Sequence, residues 1–454
     1  MALLSKSPDA NVRNEEPTPL REPDPAGYEP ALAWWRAGFE SDRIRLAMIV
    51  VPSHMGRMNK LALLRRLRQL GTASRAELAK SLGLSQPTCG KIVQELLRSG
   101  VVEELRRNPL VGAAAAGARR RPKLGRPGVL LRLDRSQPRF VGIQLDVTHT
   151  SVARLALGFT GPDAWELRVP TGRSAAQWKR QIREAAQALP VRELWGVLVS
   201  VPGLLDPVQG RVVFSPNLHW TETVDLRSLL GEIWQVPVVL MQEEQALALG
   251  HYQVNPEQDN FLLVDFGEGV GGAVLVNGRL QANPLPVSGE LGHTPVAGNR
   301  RRCGCGGVGC LETLVSLRGL LDSFQEAVPG ATRSWQSLRR HVELHGLEPW
   351  LGATLDAAAV VIAGALNVIG LRHVVVTGLL AELPAVVVEH LAARIREGAL
   401  WARFGEVQVQ TAPRHRAAGL VAAGIEQLVL NRLGEGEPGP TRLVSSAYTL
   451  TRNP

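Results

Sequence analysis

Three of the chain's four cysteines and one of its ten histidines fall within "GHTPVAGNRRRCGCGGVGCLE", residues 292–312. His293, Cys303, Cys305 and Cys310 bring one imidazole and three thiols close together in sequence. These groups either hold a metal or act as nucleophiles and bases. A disulfide framework is a poor alternative, because four unevenly placed cysteines cannot staple a chain of 454 residues, and a Cys-x-Cys disulfide loop is strained. Cys89 stands far from the cluster and reads as a small, packed residue.

A second set of residues is chemically distinctive by charge. Residues 56–135 carry 18 Lys/Arg against 5 Asp/Glu, a local charge of +13, whereas the whole chain is +9, so the remainder is net acidic. A basic excess confined to one segment is the footprint of a phosphate-binding module. Within it, "NKLALLRRLRQLG" has the apolar spacing of an amphipathic helix ended by Gly71. Ser74 and Glu77 stand at capping-box spacing ahead of a second helix that Gly83 closes. Ser85 and Pro87 open a third, which Gly100 ends.

This pattern resembles a winged helix-turn-helix, in which the N-terminal residues of the third helix face base edges in the major groove. Ser85, Gln86, Thr88, Lys91 and Gln94 are the candidate readers, and a plain three-helix bundle is the alternative. The following stretch reads as a wing: a strand, a long loop and a return strand at Val129–Leu133. Between Arg106 and Arg126 lie seven basic residues and no acidic one. Arg119, Arg120, Arg121, Lys123 and Arg126, the last inside "GRP", are suited to lie along phosphates or enter a minor groove. An unstructured basic linker is the bland reading.

The rest of the chain must supply the scaffold. With 45% hydrophobic residues it can bury real cores in two or three domains. The N-terminus has no secretion signal, and no apolar run is read as reaching the roughly 18 residues of a membrane span, so a cytoplasmic protein without membrane partners is expected. Residues 1–55 are Pro-rich and polar and read as disordered or peripheral, with Trp34 and Trp35 in a short possible helix. From Phe140 onward, Val/Leu-rich strands alternate with helices. The series restarts near residue 260 at "FLLVDFGEGVGGAVLVNGRL", which implies two α/β lobes with a cleft between them.

Four motifs, "PGLLD", "SPNLHW", "GELGH" and "CGCGGVGCLE", together with the helix-turn-helix and "GRP", resemble the ROK family of repressors and sugar kinases. That resemblance implies an N-terminal winged helix-turn-helix at 56–135, then a two-lobed actin-like ATPase (sugar-kinase-like) α/β domain. Its lobes would be 139–255 and 256–430, with a tail at 431–454. It implies a structural Zn²⁺, one per chain, on His293, Cys303, Cys305 and Cys310, four ligands leaving no open position. It also implies sugar-hydroxyl contacts from Asn217, Glu290, His293 and Glu312 in the cleft, with the alternative for the two glutamates that they brace the zinc loop from behind its ligands.

Departures from the family pattern separate regulator from enzyme. The kinases' Asn-Asp pair, whose aspartate is the general base, is here Gln242-Glu243, each one methylene longer, and both are candidate ligand-binding residues. In the first phosphate loop Gln144, Asp146 and Val147 replace an aspartate and two glycines, and Glu268 stands in the second loop where a small hydroxyl residue is usual. The expectation is a non-enzymatic, zinc-containing repressor. As a homodimer it would bind a pseudo-palindromic double-stranded operator under control of a small sugar-like effector. An active sugar kinase with an appended DNA-binding domain and a ligand-independent regulator are the alternatives.

Overall fold

A computed structural model describes residues 52–105, 129–206, 209–281 and 289–429. Trp34, Trp35 and the wing residues Arg119, Arg120, Arg121, Lys123 and Arg126 lie outside them. The described residues from Gly56 onward form one compact unit.

The helix signals resolve as the sequence implies. Helix α1 (Pro52–Leu70) begins earlier than its apolar periodicity indicates and buries Leu63, Leu64 and Leu67. The chain then enters α2 (Arg75–Leu82) through a capping box in which Ser74 and Glu77 satisfy each other's backbone N–H groups, and leaves it at Gly83 in the left-handed region. Helix α3 (Gln86–Arg98) starts with the Ser85 hydroxyl accepting from Thr88 N at 3.2 Å. Strands β1 (Ala73–Ser74), β2 (Val102–Glu104) and β3 (Leu130–Leu133) close a three-stranded antiparallel sheet in the order β1-β3-β2, so the expected wing strands pair.

Lobe one contains β4 (Pro138–Leu145), β5 (His149–Ala156), β6 (Leu167–Pro170), α4 (Ala175–Ala188) and β7 (Gly196–Val201). A hairpin of β8 (Leu204–Asp206) and β9 (Arg211–Phe214), helix α5 (Leu226–Trp234), β10 (Val238–Gln242) and α6 (Glu243–Val254) complete it. The sheet order is β10-β7-β4-β5-β6, with β4–β5–β6 an antiparallel meander and β7 and β10 added in parallel.

Lobe two repeats this plan. Strands β11 (Phe261–Phe266), β12 (Val270–Val276), β13 (Arg279–Leu280), β14 (His373–Gly378) and β15 (Gln408–Thr411) are ordered β13-β12-β11-β14-β15. The central strands "GVLVSV" and "FLLVDF" are buried at every residue, as strands covered on both faces must be. Helices α7 (Glu312–Val315), α8 (Leu317–Ala327), α9 (Trp335–His345), α10 (Pro349–Ile369) and α11 (Ala385–Gly398) follow the metal-site loop and frame β14.

Two features depart from the sequence reading. Helix α10 is long and apolar enough to cross a membrane, with a mean hydropathy of 1.8, although Asp356 and Asn367 interrupt its apolar run. Leu351, Leu355, Ile362 and Leu366 place it in the core of lobe two. The last helix, α12 (Arg416–Gly424), follows lobe two in sequence. By packing it joins lobe one, because Leu420 and Val421 share a core with Phe140 and Leu198 and with Leu63, Leu64 and Leu67 of α1.

Candidate functional site

The cysteine loop is shaped by its own backbone. Arg302 and Val308 form an isolated bridge, as do Pro295 and Cys310, folding the stretch into a tight knuckle. Gly306 and Gly309 have φ of 91° and 84°, a region closed to most side chains, and a Cβ on Gly309 would lie 2.7 Å from the Asn299 carbonyl oxygen.

The knuckle brings one donor atom from each of His293, Cys303, Cys305 and Cys310 within 4.8 Å of every other. Cys305 Sγ and Cys310 Sγ are 3.7 Å apart, and Cys303 Sγ is 3.6 Å from His293 Nδ1. Ligands at the zinc–sulfur distance of about 2.3 Å on a tetrahedron stand about 3.8 Å from one another, so the cluster has the edge lengths of a metal site. Burial pushes the Cys303 thiol up to about 12 and raises that of Cys310, so a cation taken up here must displace protons.

The same imidazole faces two ways. Nδ1 points to the cysteines, while Nε2 lies 3.7 Å from Glu290 Oε2 on the cleft side. Glu312 follows the last two ligand-loop residues into α7, and its Oε2 accepts from Val270 N at 3.2 Å. Between the lobes is a cavity of about 200 Å³, lined from lobe one by Asn217, Glu243 and Glu244 and from lobe two by Glu290, His293 and Glu312. Asn217 Oδ1 lies 3.3 Å from where a Gly304 Cβ would be, tying the cavity wall to the cysteine loop. Gln242 is the exception among the expected cleft residues. It is buried beside the cavity, donating to the Gly203 carbonyl at 3.3 Å and accepting from Gln245 at 2.7 Å, because the turn from β10 into α6 directs it inward.

Two arginines that the sequence reading did not single out dominate the other end of the cleft. Arg414 donates from Nε and Nη2 to the two Asp265 oxygens, each at 2.8 Å, and Thr377 Oγ1 adds a third bond to that carboxylate. Burial opposes ionisation of Asp265, but Arg414 outweighs it and holds the carboxyl below its ordinary range. The Arg414 guanidinium sits where glycine side chains would be, 2.9 Å from a Cβ on Gly267 and 2.5 Å from one on Gly378. It therefore fills the crevice at the ends of β11 and β14. Arg416, almost wholly buried, pairs with Glu243 and, at 3.0 Å, with Asp163. A signal was present: two arginines in "APRHRAAGL" interrupt a run that otherwise enters a core.

Burial raises Glu243 to about 7 against the pull of Arg416, and raises neighbouring Glu244 to about 8, with Glu243 adding to the effect. Glu268 is also raised, by burial and then by Asp146, whose Oδ1 is turned back to Val147 N at 2.6 Å.

On α3, Cys89, Ile92, Val93 and Leu96 face the core and Gln86, Lys91 and Gln94 are exposed. Arg98 extends that exposed stripe by one turn and was not among the expected readers. Ser85 and Thr88 are exposed, but their hydroxyls engage each other at 2.8 Å. Cys89 is fully buried, its Sγ 3.4 Å from the Arg75 carbonyl, as a packed residue should be.

Against known proteins, the ROK family model matches residues 169–430, and a winged helix-turn-helix DNA-binding model matches 59–103. The xylose repressor of Bacillus subtilis (strain 168) is 27% identical over 59% of this chain and 68% of its own length. The DNA-binding transcriptional dual regulator NagC of Escherichia coli (strain K12) is 24% identical over 82% of this chain and 93% of its own length. Among solved structures, a ROK family transcriptional regulator homologous to the E. coli MLC protein superposes with a TM-score of 0.65 at 20% identity, over 84% of this chain and 99% of that one. A ROK family glucokinase from Streptomyces griseus, in complex with glucose and AMPPNP, gives 0.52 at 21% identity, over 63% and 97%.

Proposed function

This chain belongs to the ROK family and carries a winged helix-turn-helix, and from that premise we propose that it is a cytoplasmic transcriptional repressor whose operator affinity is set by a small polyhydroxy effector in the inter-lobe cleft. One observation carries the reading: a recognition helix with an exposed Gln86, Lys91 and Gln94 shares a compact unit with a cleft in which the Arg414 guanidinium lies against Gly267 and Gly378. The repressor relatives point the same way. One recognition helix per chain covers one half-site, so a homodimer on a pseudo-palindromic operator is the natural assembly.

The kinase alternative needs a free general base and room for phosphates. Glu243 is held by Arg416, and Arg414 already has its counter-ion in Asp265. Asp146 and Glu268 add negative charge where a triphosphate would lie. In His293, Cys303, Cys305 and Cys310 we read one structural Zn²⁺ per chain, holding the Glu290–His293–Glu312 shelf against the cavity. The cavity lies below the usual range of about 300–1,000 Å³ for ligand sites, in keeping with a pentose-sized effector ahead of an N-acetylhexosamine.

Selection of duplexes from a random pool by the purified protein tests the DNA reading. Lys91→Ala or Gln86→Ala should weaken binding to the selected duplex by about tenfold, equivalent to loss of one base contact. Replacing Arg119, Arg120 and Arg121 together should weaken binding to every duplex and flatten its salt dependence. Equal salt slopes in the wild type and the triple variant would defeat the wing assignment.

Calorimetry against a panel of pentoses and hexoses without nucleotide tests the cleft. One sugar should bind, with affinity falling at least tenfold in Glu290→Ala, because a carboxylate that accepts two hydroxyls is lost. No phosphorylated product should form when ATP is added. Turnover of ATP and sugar would favour the kinase instead.

A further inference from the structure

Two helices begin in the cleft and reach the first helix of the DNA-binding domain. Helix α6 starts at Glu243 and α12 at Arg416, and the ion pair between these residues ties the two N-termini together. Near the far end of α6, Tyr252 Oη accepts from Gln69 Nε2 at 2.7 Å. In the first turn of α12, the Ala418 carbonyl accepts from Arg68 Nη2 at 2.5 Å, and the same nitrogen donates to the Phe159 carbonyl at 3.2 Å. Beyond α12 the backbone widens into one π-helical turn, Ile425–Val429, where Glu426 pairs with Arg65 at 2.7 Å. Arg65, Arg68 and Gln69 all lie in the final turns of α1. That helix is linked in turn to the recognition helix by Lys60 and Glu95 at 2.8 Å.

Arg68 is the unusual member of this set. Its side chain is buried among apolar residues of the shared core, yet Nε and Nη1 have no hydrogen-bond partner, and among the described residues no carboxylate lies within ion-pair distance. Burial lowers its pKa to about 9 despite the more distant Glu426. A strut whose only task was packing would be better served by leucine, as at Leu64 and Leu67 alongside it. A guanidinium held by two carbonyls is instead sensitive to where those carbonyls stand, because hydrogen bonds weaken steeply with distance and angle. π-helical turns are frequent at functional positions, and this one lies beside the same contact.

We propose that Arg68 is the positioning residue that conveys the state of the cleft to the DNA-binding domain. A ligand that engages Glu243 weakens its hold on Arg416, the N-terminal turn of α12 shifts, and the Ala418 carbonyl moves with respect to Arg68. The end of α1 then repacks and carries α3 with it. This inference rests on the effector reading of the cleft, and it gives that reading a physical route.

The test uses a double-mutant cycle in the full-length protein, with Glu243→Gln standing in for a ligand. The readouts are hydrogen exchange of residues 59–70 and affinity for a duplex selected by the wild type. Glu243→Gln, which lies outside the DNA-binding domain, should change both by about fivefold. In the Arg68→Lys background, which keeps the charge but loses the fork, the same change should fall to less than about twofold. If Arg68→Lys compromises folding, Arg68→Met, which keeps the length in an apolar core but cannot donate to the two carbonyls, replaces it with the same expectation. An undiminished Glu243→Gln effect in these backgrounds, or no effect in the wild type, overturns the proposal. Should the protein select no duplex, the DNA-binding reading fails, and hydrogen exchange alone decides whether the cleft and α1 are coupled.

Discussion

Cys305→Ser should empty the metal site, taking zinc from one per chain to near zero and lowering the thermal midpoint by several degrees. Serine is a poor zinc ligand at neutral pH, and a tetrahedral set reduced to three loses both affinity and closure. The loss should propagate along the knuckle, because the backbone bonds from Cys303 N to the Gly307 carbonyl and from Gly309 N to the Arg301 carbonyl, each 2.9 Å, span the segment that the cysteines hold. A cost of about 3 kcal/mol would move the midpoint by roughly 3–4 °C in a cooperative unit of about 400 residues. Chelator treatment of the wild type should reproduce the shift, whereas Cys89→Ser should leave zinc content unchanged, since that thiol is in the core of the helix-turn-helix. Wild-type protein purified without chelators and found to hold no metal would end the zinc reading. A stoichiometric metal retained by Cys305→Ser would end the four-ligand assignment.

The features that sequence disclosed share a physical property: their signals are local. The Ser74–Glu77 capping box, the Ser85 cap and the Gly83 stop each depend on residues within one or two helical turns, and each forms as its spacing implies. The same holds for the cysteine knuckle, whose four ligands fall within 18 residues. Strand–helix alternation added the two lobes, and motif resemblance the cleft shelf of Glu290, His293 and Glu312, which the fold brings to one cavity.

What escaped was non-local or contextual. Arg414 meets Asp265 across 149 residues of sequence, and nothing in "APRHRAAGL" discloses that partner. Gln242 follows the family position of a ligand contact, but its direction is set by hydrogen bonds to Gly203 and Gln245 that depend on how β10 turns into α6. Helix α10 has the composition of a membrane span, and only the helices packed around it show where its apolar residues go. Chain order likewise assigned α12 to lobe two, whereas packing places it against lobe one and α1.

The largest expected effect in the cleft follows from that unanticipated pair. Arg414→Ala leaves the Asp265 carboxylate, 8% exposed, with Thr377 as its remaining side-chain partner among the described residues. Breaking a buried ion pair from one side costs about 3–5 kcal/mol, and partial exposure of Arg414 puts the expectation near the lower end, about 3 kcal/mol at neutral pH. The sign of the pH dependence identifies the cause. In the wild type the folded-state pKa of Asp265 is depressed, so its contribution is present above the unfolded value and lost as pH falls through the folded one. Without Arg414 the opposing burial, the largest influence on this carboxyl, should outweigh what Arg416 and Thr377 still supply, and the carboxyl should rise above its unfolded value. The variant's deficit relative to the wild type should therefore shrink as pH is lowered from 7.5 towards 4, where Asp265 can fold protonated. Glu243 and Glu244, both raised in the wild type, also titrate in this window, and Arg414 helps to hold Glu243 down, so Glu243→Gln is carried in both proteins and the difference between them is followed by chemical denaturation at each pH. Arg414→Lys should recover part of the stability and of the pH profile, since it keeps the charge but not the two-pronged bond. A deficit independent of pH would mean that Arg414 acts through packing against Gly267 and Gly378. In that case its ion pair with Asp265 would not be what holds it in the cleft.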